Sequence, residues 1–262
     1  MTPRSSMPFA RLSRLSRGGL CWLAVGLLWA GLGIGQATAC PDGRPWDEWD
    51  TQDQPTAPAH AMMDGVSGPG FEELQRGMVW VGAVVRSGDV IDGLTPIYAR
   101  VGGKGFLTKP MYRGQAIGGQ GGGAHLVYKP GHVVVGVRYL RMNYYGHAGI
   151  QQMQLVFRKW SPNGPVGPDV LSKTFSPTPS RPDGSTQSVL HVEPGQAVTG
   201  LSGNASQYVN ILHLHASPVA KVRSDKVYTT SKPVTLHQLR RELRAERRAH
   251  NNTDTQDKHP GS

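Results

Sequence analysis

Short apolar runs broken by glycine and proline fill the middle of the chain, from about Val66 to Val219. Several of them alternate apolar and polar residues, which is the period of a half-buried strand. In IQQMQLVF, Met153, Leu155 and Phe157 fall on one face. No helical period of useful length occurs here, so we predict strands at 78–86, 89–101, 124–129, 132–142, 150–159, 187–192, 196–203 and 207–215. Short strands joined by turns over this length predict one closed or sandwiched all-β domain.

One strand pattern recurs along this region. VYKPGHVVVGVRY (127–139) and HVEPGQAVTGLSG (191–203) superimpose with a shift of 64 positions, which places Pro-Gly on Pro-Gly and a strand glycine on a strand glycine. We predict a third copy in RSGDVIDGL, where Gly88, Ile91, Gly93 and Leu94 take the places of Gly131, Val134, Gly136 and Val137. A glycine inside a strand marks a bulge, a bend or a close backbone approach. Three copies therefore predict three similar sheets that bury their apolar faces against one another.

The first 39 residues are typical of a secretory signal peptide. Four arginines precede an apolar core of about 15 residues, which is shorter than the roughly 20 of a spanning helix, and Ala37-Thr38-Ala39 forms a small-residue cleavage site. We therefore expect a secreted or cell-envelope protein. Cleavage would leave Cys40 as the first residue and the one mature cysteine, because Cys21 departs with the leader. Cys40 is then either acylated, which would tether the protein to a membrane, or a free or intermolecularly paired thiol.

Two further segments flank the predicted domain. Residues 40–64 are rich in Pro, Asp, Gln and Ala, which predicts a flexible spacer in which WDEW is either a docking motif or incidental. Residues 219–262 form a basic tail with a predicted helix at about 234–249, begun by Thr235 and Gln238 in a capping box. We expect that helix to be solvated or to rest on the domain; docking to a membrane surface or to nucleic acid is the alternative.

The formal charge of +10 does not describe the domain. The leader carries +4 and the tail +5, which leaves +1 for residues 40–218. A nearly neutral domain does not predict a nucleic-acid-binding face, so no nucleic-acid partner is expected.

Residues 65–218 resemble the jacalin-like lectins, the mannose- and galactose-binding β-prism lectins. Four stretches match the family in order: GPGFEEL (68–74), VRSGDVIDGLTPIY (85–98), the polyglycine segment GGQGGG (118–123) and the closing hairpin VEPGQAVTGLSGNASQYVNILHLH (192–215). The resemblance implies a β-prism of three four-stranded Greek-key sheets with pseudo-threefold symmetry. It also implies glycan binding without catalysis, at one end of the prism.

In the family, the sugar pocket lies between the glycine-rich opening loop and a Gly-x-x-x-Asp turn in the last hairpin. The resemblance places Gly70 in the opening loop and five residues in the turn: Ser206, Gln207, Tyr208, Val209 and Asn210. Both ends of the motif are altered, since Ser206 stands for the glycine and Asn210 for the aspartate. An amide loses the charge that strengthens a carboxylate's hydrogen bonds, so we expect a weakened or unusual sugar site here.

Other functions were weighed against this one. A structural or adhesion module that binds proteins through the prism faces is the main alternative. No standard catalytic signature occurs, so no enzyme activity is expected. His213 and His215 share one strand face, which suits two ligands of a metal ion. The third ligand would have to come from elsewhere, for example His191 or His125, so no metal is expected. We expect no cofactor and no calcium, and the spacing does not choose between a monomer and a homo-oligomer.

Overall fold

The structure is a computed structural model that describes residues 68–144, 147–176, 186–227, 229 and 231–256. The predicted signal peptide (1–39) and spacer (40–64) lie outside the described residues. Within the described part of the chain, no helix is both long and apolar enough to cross a membrane.

The described residues are mostly in strands. The first strands are β1 (Gly70–Leu74), β2 (Met78–Ser87), β3 (Ile91–Val101), β4 (Leu107–Arg113), β5 (Ile117–Gly118) and β6 (Gly123–Tyr128). They are followed by β7 (His132–Tyr144), β8 (His147–Ser161), β9 (Gly164–Leu171), β10 (Thr186–His191), β11 (Gln196–Ala205) and β12 (Val209–Pro218). The tail adds α1 (Val219–Ser224), β13 (Lys232–Val234) and α2 (Leu236–Gln256).

Three antiparallel sheets are built from these strands. Their orders are β1-β11-β12, β10-β7-β8-β9 and β13-β4-β3-β2-β6, with the short β5 paired to β3. The predicted all-β, three-sheet fold is confirmed, and so is each of the eight predicted strands to within a few residues. The third sheet exceeds four strands because the tail adds β13 to the edge of β4, and the first sheet shows three strands among the described residues.

The core lies between the inner faces of the three sheets. Its largest fully buried side chains include Trp80 and Tyr98 from the third sheet, Leu155 from the second, and Leu201 and Leu212 from the first. The central strands β2, β7 and β11 pack against one another. Each fully buried apolar side chain of this size contributes about 1.5–3 kcal/mol relative to an exposed one, so one shared core holds the three sheets together.

The strand repeat is present in all three central strands, but its third copy is not where the sequence pattern placed it. The copies are residues 77–82, 131–136 and 195–200, each with glycine at both ends. Gly77, Gly131 and Gly195 have φ values of +70°, +69° and +79°, which favour glycine. Their carbonyl oxygens accept hydrogen bonds from the backbone N–H groups of Val101, Trp160 and Val219. Each of these donors lies at or near the end of the strand that follows in the chain.

The second glycine of each copy follows a bulge. The pairing register skips one residue before it, namely Val81, Val135 and Thr199. A Cβ added at Gly82, Gly136 or Gly200 would lie 2.3, 2.5 or 2.3 Å from a backbone carbonyl oxygen of the neighbouring edge strand. A bulge bends its strand and increases the local twist, so the same bend recurs in all three sheets.

The predicted third copy at Gly88–Leu94 is therefore wrong. Gly88 and Gly93 have the same five-residue spacing as the true pairs, but the turn between β2 and β3 lies between them. The true copy, Gly77 to Gly82, was hidden because Arg76 stands where the other two copies have proline. Gly88 therefore lies in the hairpin that follows β2, whereas the repeat begins at Gly77, just before the same strand.

The basic tail rests on the third sheet. Thr235 Oγ1 accepts a hydrogen bond of 3.1 Å from the Gln238 backbone N–H, which is one half of the predicted capping box. The Gln238 side chain instead donates to Glu242 Oε1 at 3.1 Å. Leu239 is fully buried. The carboxylates of Glu242 and Glu246 form ion pairs with two sheet arginines, Arg113 and Arg86. Of the two expected placements, the described residues show the helix packed on the domain.

We expect Gly136→Ala to lower the free energy of unfolding by about 1–3 kcal/mol, because its Cβ would meet the Leu190 carbonyl oxygen at 2.5 Å. Gly149→Ala in the same sheet is the control, because no atom lies within 4 Å of its added Cβ; it should be neutral or slightly stabilising. Urea unfolding of both variants measures the difference. Equal stability of the two variants would contradict the close approach at the bulge.

Candidate functional site

Segments of the three sheets meet at one end of the prism. They are the hairpin loop between β11 and β12, the start of β8, and the polyglycine segment 118–123 that joins β5 to β6. Asn210, after the last turn, donates from Nδ2 to the carbonyl oxygen of Ala148 at 2.7 Å. A Cβ added at Gly119, in the polyglycine segment, would lie 2.4 Å from the Gln207 carbonyl oxygen. Loops from different sheets are therefore in contact at this end.

The structure brings most of the predicted site residues together in the last hairpin. Ser206 and Gln207 are exposed, Tyr208 is half-buried, and Val209 is fully buried. The opening segment lies beside them: Gly70 pairs with Asn204, whose Nδ2 donates to the Gly68 carbonyl oxygen at 3.2 Å. The expected proximity of opening loop and last turn is thus present.

Asn210 has a different environment from a sugar-binding side chain. It is fully buried, and its Nδ2 donates to Ala148 on β8. Its Oδ1 accepts a hydrogen bond from Ser206 Oγ at 3.5 Å. The amide therefore ties the last hairpin to the second sheet, a bond that aspartate could not make because it has no donor when ionised.

The first hairpin carries an unaltered Gly-x-x-x-Asp turn, Gly88-Asp89-Val90-Ile91-Asp92. The Gly88 backbone N–H donates to Asp92 Oδ2 at 2.9 Å, and the Gly88 carbonyl oxygen accepts a hydrogen bond of 2.6 Å from Ser176 Oγ. Asp92 is half-buried. Because the β2–β3 and β11–β12 hairpins follow equivalent copies of the repeat, this turn occupies the position in the third sheet that residues 206–210 occupy in the first.

The polyglycine segment 118–123 faces Asp92. A Cβ at Gly121 would lie 2.8 Å from Asp92 Oδ1, and one at Gly122 would lie 2.4 Å from Oδ2. Gly122 has φ of +62°. Glycine is therefore required at both positions next to this carboxylate. The last hairpin has a similar neighbour, because the glycine-containing opening segment lies beside it.

The Asp92 carboxyl has an altered proton affinity. Partial burial raises its pKa above the ordinary value, and the nearby charge of Asp89 acts in the same direction. The Gly88 N–H and the Arg86 guanidinium act in the opposite direction without cancelling the rise. An aspartate that is half-buried and held by a backbone N–H is a fixed acceptor for hydroxyl groups once it is ionised.

Sequence reasoning missed this second turn although its motif is visible. The interpretation of Gly88 as a member of the strand repeat obscures the Gly-x-x-x-Asp spacing of residues 88–92. The polyglycine segment directly before β6 was a further signal, because it corresponds to the opening segment before β1 once the true repeat is known.

A second polar cluster lies away from the hairpins. Glu73 is nearly buried, accepts hydrogen bonds from Gln75 Nε2 at 2.9 Å and the Gln115 N–H at 3.1 Å, and has a pKa raised chiefly by burial. Gln75 also donates to Ser231 Oγ at 2.8 Å. These bonds tie β1 to the tail, which is a structural role.

The histidines weighed as metal ligands do not converge in the described part of the chain. His191 lies 3.3 Å from Asp169, and His215 lies 3.8 Å from Glu72. No group of three or more His, Cys, Asp or Glu side chains suited to a metal ion occurs among the described residues.

Comparison with known proteins gives matches in structure alone. No family model matches the sequence, and no curated protein matches it. Wild-type Malaysian banana lectin matches with a TM-score of 0.43 at 17% identity, over 59% of this chain and 93% of that one. Artocarpin, a lectin with mannose specificity, gives 0.43 at 11% over 58% and 91%. Frutalin from Artocarpus incisa, in complex with galactose, gives 0.41 at 13% over 57% and 99%.

These matched proteins are lectins, and their likeness to this chain is one of fold alone. The assignment of residues to a site rests on this chain's own sheets and hairpins.

We expect Asn210→Asp to destabilise the protein by at least about 1–3 kcal/mol, because it replaces the donor to Ala148 with a buried carboxylate facing a carbonyl oxygen. The new carboxyl would have a raised pKa, so stability should recover as pH falls and the group is protonated. Urea unfolding between neutral and acidic pH measures this. The control is Asn163→Asp at an exposed position; an equal effect of both variants would contradict the buried role of Asn210.

Proposed function

We propose that this protein binds glycans without catalysis and that its principal site lies between the Gly88–Asp92 turn and the polyglycine segment 118–123. The observation that carries the proposal is the half-buried Asp92 carboxylate, fixed by the Gly88 N–H and faced by glycine backbone. The predicted signal peptide (1–39) supports a secreted or cell-envelope location as part of this proposal.

The chemistry of the turn suits sugar hydroxyl groups. A carboxylate offers two acceptor oxygens, and its hydrogen bonds are roughly twice as strong as those of a neutral amide. The segment facing it carries no side chain at five of six positions, so a ring could approach the backbone closely. Neither feature depends on a bound ion.

The last hairpin is the secondary candidate within the same function. Ser206 and Gln207 are exposed at its tip, where Tyr208 is half-buried, and Gly70 lies alongside. Val209 and Asn210 are buried and would act by holding the turn in shape. We assign the stronger binding to the first hairpin because it retains the carboxylate that the last hairpin lacks.

We expect Asp92→Asn to weaken glycan binding about 10- to 100-fold, because hydrogen bonds to a charged group contribute about 1.5–3 kcal/mol and each 1.4 kcal/mol is tenfold. The measurement is a glycan array followed by calorimetry with methyl α-mannoside and methyl α-galactoside, because mannose and galactose are named for two of the matched lectins. Asp169→Asn is the control, because Asp169 pairs with Arg158 in another sheet. Binding that survives Asp92→Asn would contradict the assignment to the first hairpin and point to the last one, whereas no binding to any glycan would favour the protein-binding module.

We expect glycan affinity to fall on acidification, with a midpoint above the ordinary aspartate value of 3.8, because burial raises the pKa of Asp92 and protonation removes the acceptor. A carboxyl with a raised pKa is more readily protonated when folded, so acid does not unfold the protein through this group. Calorimetry across pH measures the effect, and Asp92→Asn should show no such dependence. Constant wild-type affinity through this pH range would contradict the role of the carboxylate.

A further inference from the structure

We propose that the middle of helix α2 positions the polyglycine segment for glycan binding, with Glu246 acting through Arg86 and Arg247 bonding to the residue that follows the segment. The role in glycan binding rests on the proposed function, whereas the support of the segment by the helix does not depend on it. It gives the basic tail a role in the site that its sequence alone does not indicate.

Arg86 links the helix to the polyglycine segment in the first of two contacts. Its Nη1 donates to the Gln120 carbonyl oxygen, in the middle of the segment, at 3.0 Å. Its Nη2 forms an ion pair with Glu246 of the helix. Arg86 is the more enclosed partner, with 17% of its side chain exposed against 42% for Glu246. The helix carboxylate therefore fixes the guanidinium that in turn fixes the loop.

Arg247 makes the second contact directly. Its Nη2 donates to the carbonyl oxygen of Ala124 at 3.1 Å, just beyond Gly123 at the end of the segment. Two successive helix residues thus act on the segment, Glu246 through Arg86 at its middle and Arg247 at the β6 residue that follows its end. Arg86 itself lies on β2 beside the Gly88 turn, so both walls of the proposed site meet at this arginine.

The loop needs such support because of its composition. Five of its six residues are glycine, and glycine loses more conformational freedom on ordering than any other residue. A loop that must be ordered when the ligand binds lowers affinity, and holding it beforehand raises affinity. Glu246 and Arg247 would therefore act as positioning residues that need not contact the sugar.

The helix offers its own control pair. Glu242, one turn before Glu246, pairs with Arg113 on β4, and that contact does not involve the polyglycine segment. The two glutamates are similarly exposed, at 41% and 42%. Both variants, Glu246→Gln and Glu242→Gln, remove one ion pair of the same helix, but only the first removes support from the loop.

The test compares hydrogen exchange of the ligand-free protein with glycan affinity. In Glu246→Gln we expect faster amide exchange confined to residues 118–123 and about 2- to 5-fold weaker binding of whichever methyl glycoside the wild type binds, as suits an exposed ion pair. Arg247→Gln should behave in the same way. Glu242→Gln should leave both readings at wild-type values, with a melting temperature close to that of Glu246→Gln.

The two readings separate the possible failures. Unchanged exchange at 118–123 in Glu246→Gln would overturn the positioning role whether or not a sugar binds. Faster exchange with unchanged affinity would overturn the link to binding. Faster exchange in a protein that binds no glycan would leave the helix–loop contact intact but overturn the proposed function and, with it, the purpose assigned here.

Discussion

The prism depends on one repeated contact, in which a strand glycine lets the backbone of the neighbouring strand approach closer than any side chain would allow. Gly82, Gly136 and Gly200 each face a carbonyl oxygen in this way directly after a bulge. The bulge bends and twists the central strand of its sheet. Because the bend is the same in β2, β7 and β11, the three sheets can share one core, and their hairpins project at a common end.

The equivalent hairpins carry different side chains at the last position of the turn. The first keeps a carboxylate, Asp92, beside bare glycine backbone. The last has replaced that carboxylate with a buried amide, Asn210, which donates to the second sheet. A hydrogen-bonded amide can hold two loops together without the penalty of burying an unpaired charge. One copy of the hairpin thus suits binding, and another stabilises the end of the prism.

The sequence predicts the fold better than it predicts the site. Pro-Gly turns before β7 and β11 disclose two copies of the repeat, and alternation discloses the longer strands. The third copy is not recognisable in the sequence because Arg76 stands where the other copies have proline. Gly88 and Gly93 also have the same five-residue spacing as the true glycine pairs. Burial of Asn210 could not be predicted, because it depends on Ala148, 62 residues away. The short β5 and the tail strand β13 have no periodicity of their own and form only against β3 and β4.

The tail helix connects the fold to the site, since its ion pairs reach β2 and β4 and its Arg247 donates a hydrogen bond to Ala124 of β6, directly after the polyglycine segment. The most direct test of the account is the mapping of backbone amide shifts by NMR on titration with methyl α-mannoside or methyl α-galactoside. We expect the largest changes at Gly88, Asp92, Gly121 and Gly122. Changes confined to residues 206–208, or no changes with either sugar, would contradict it.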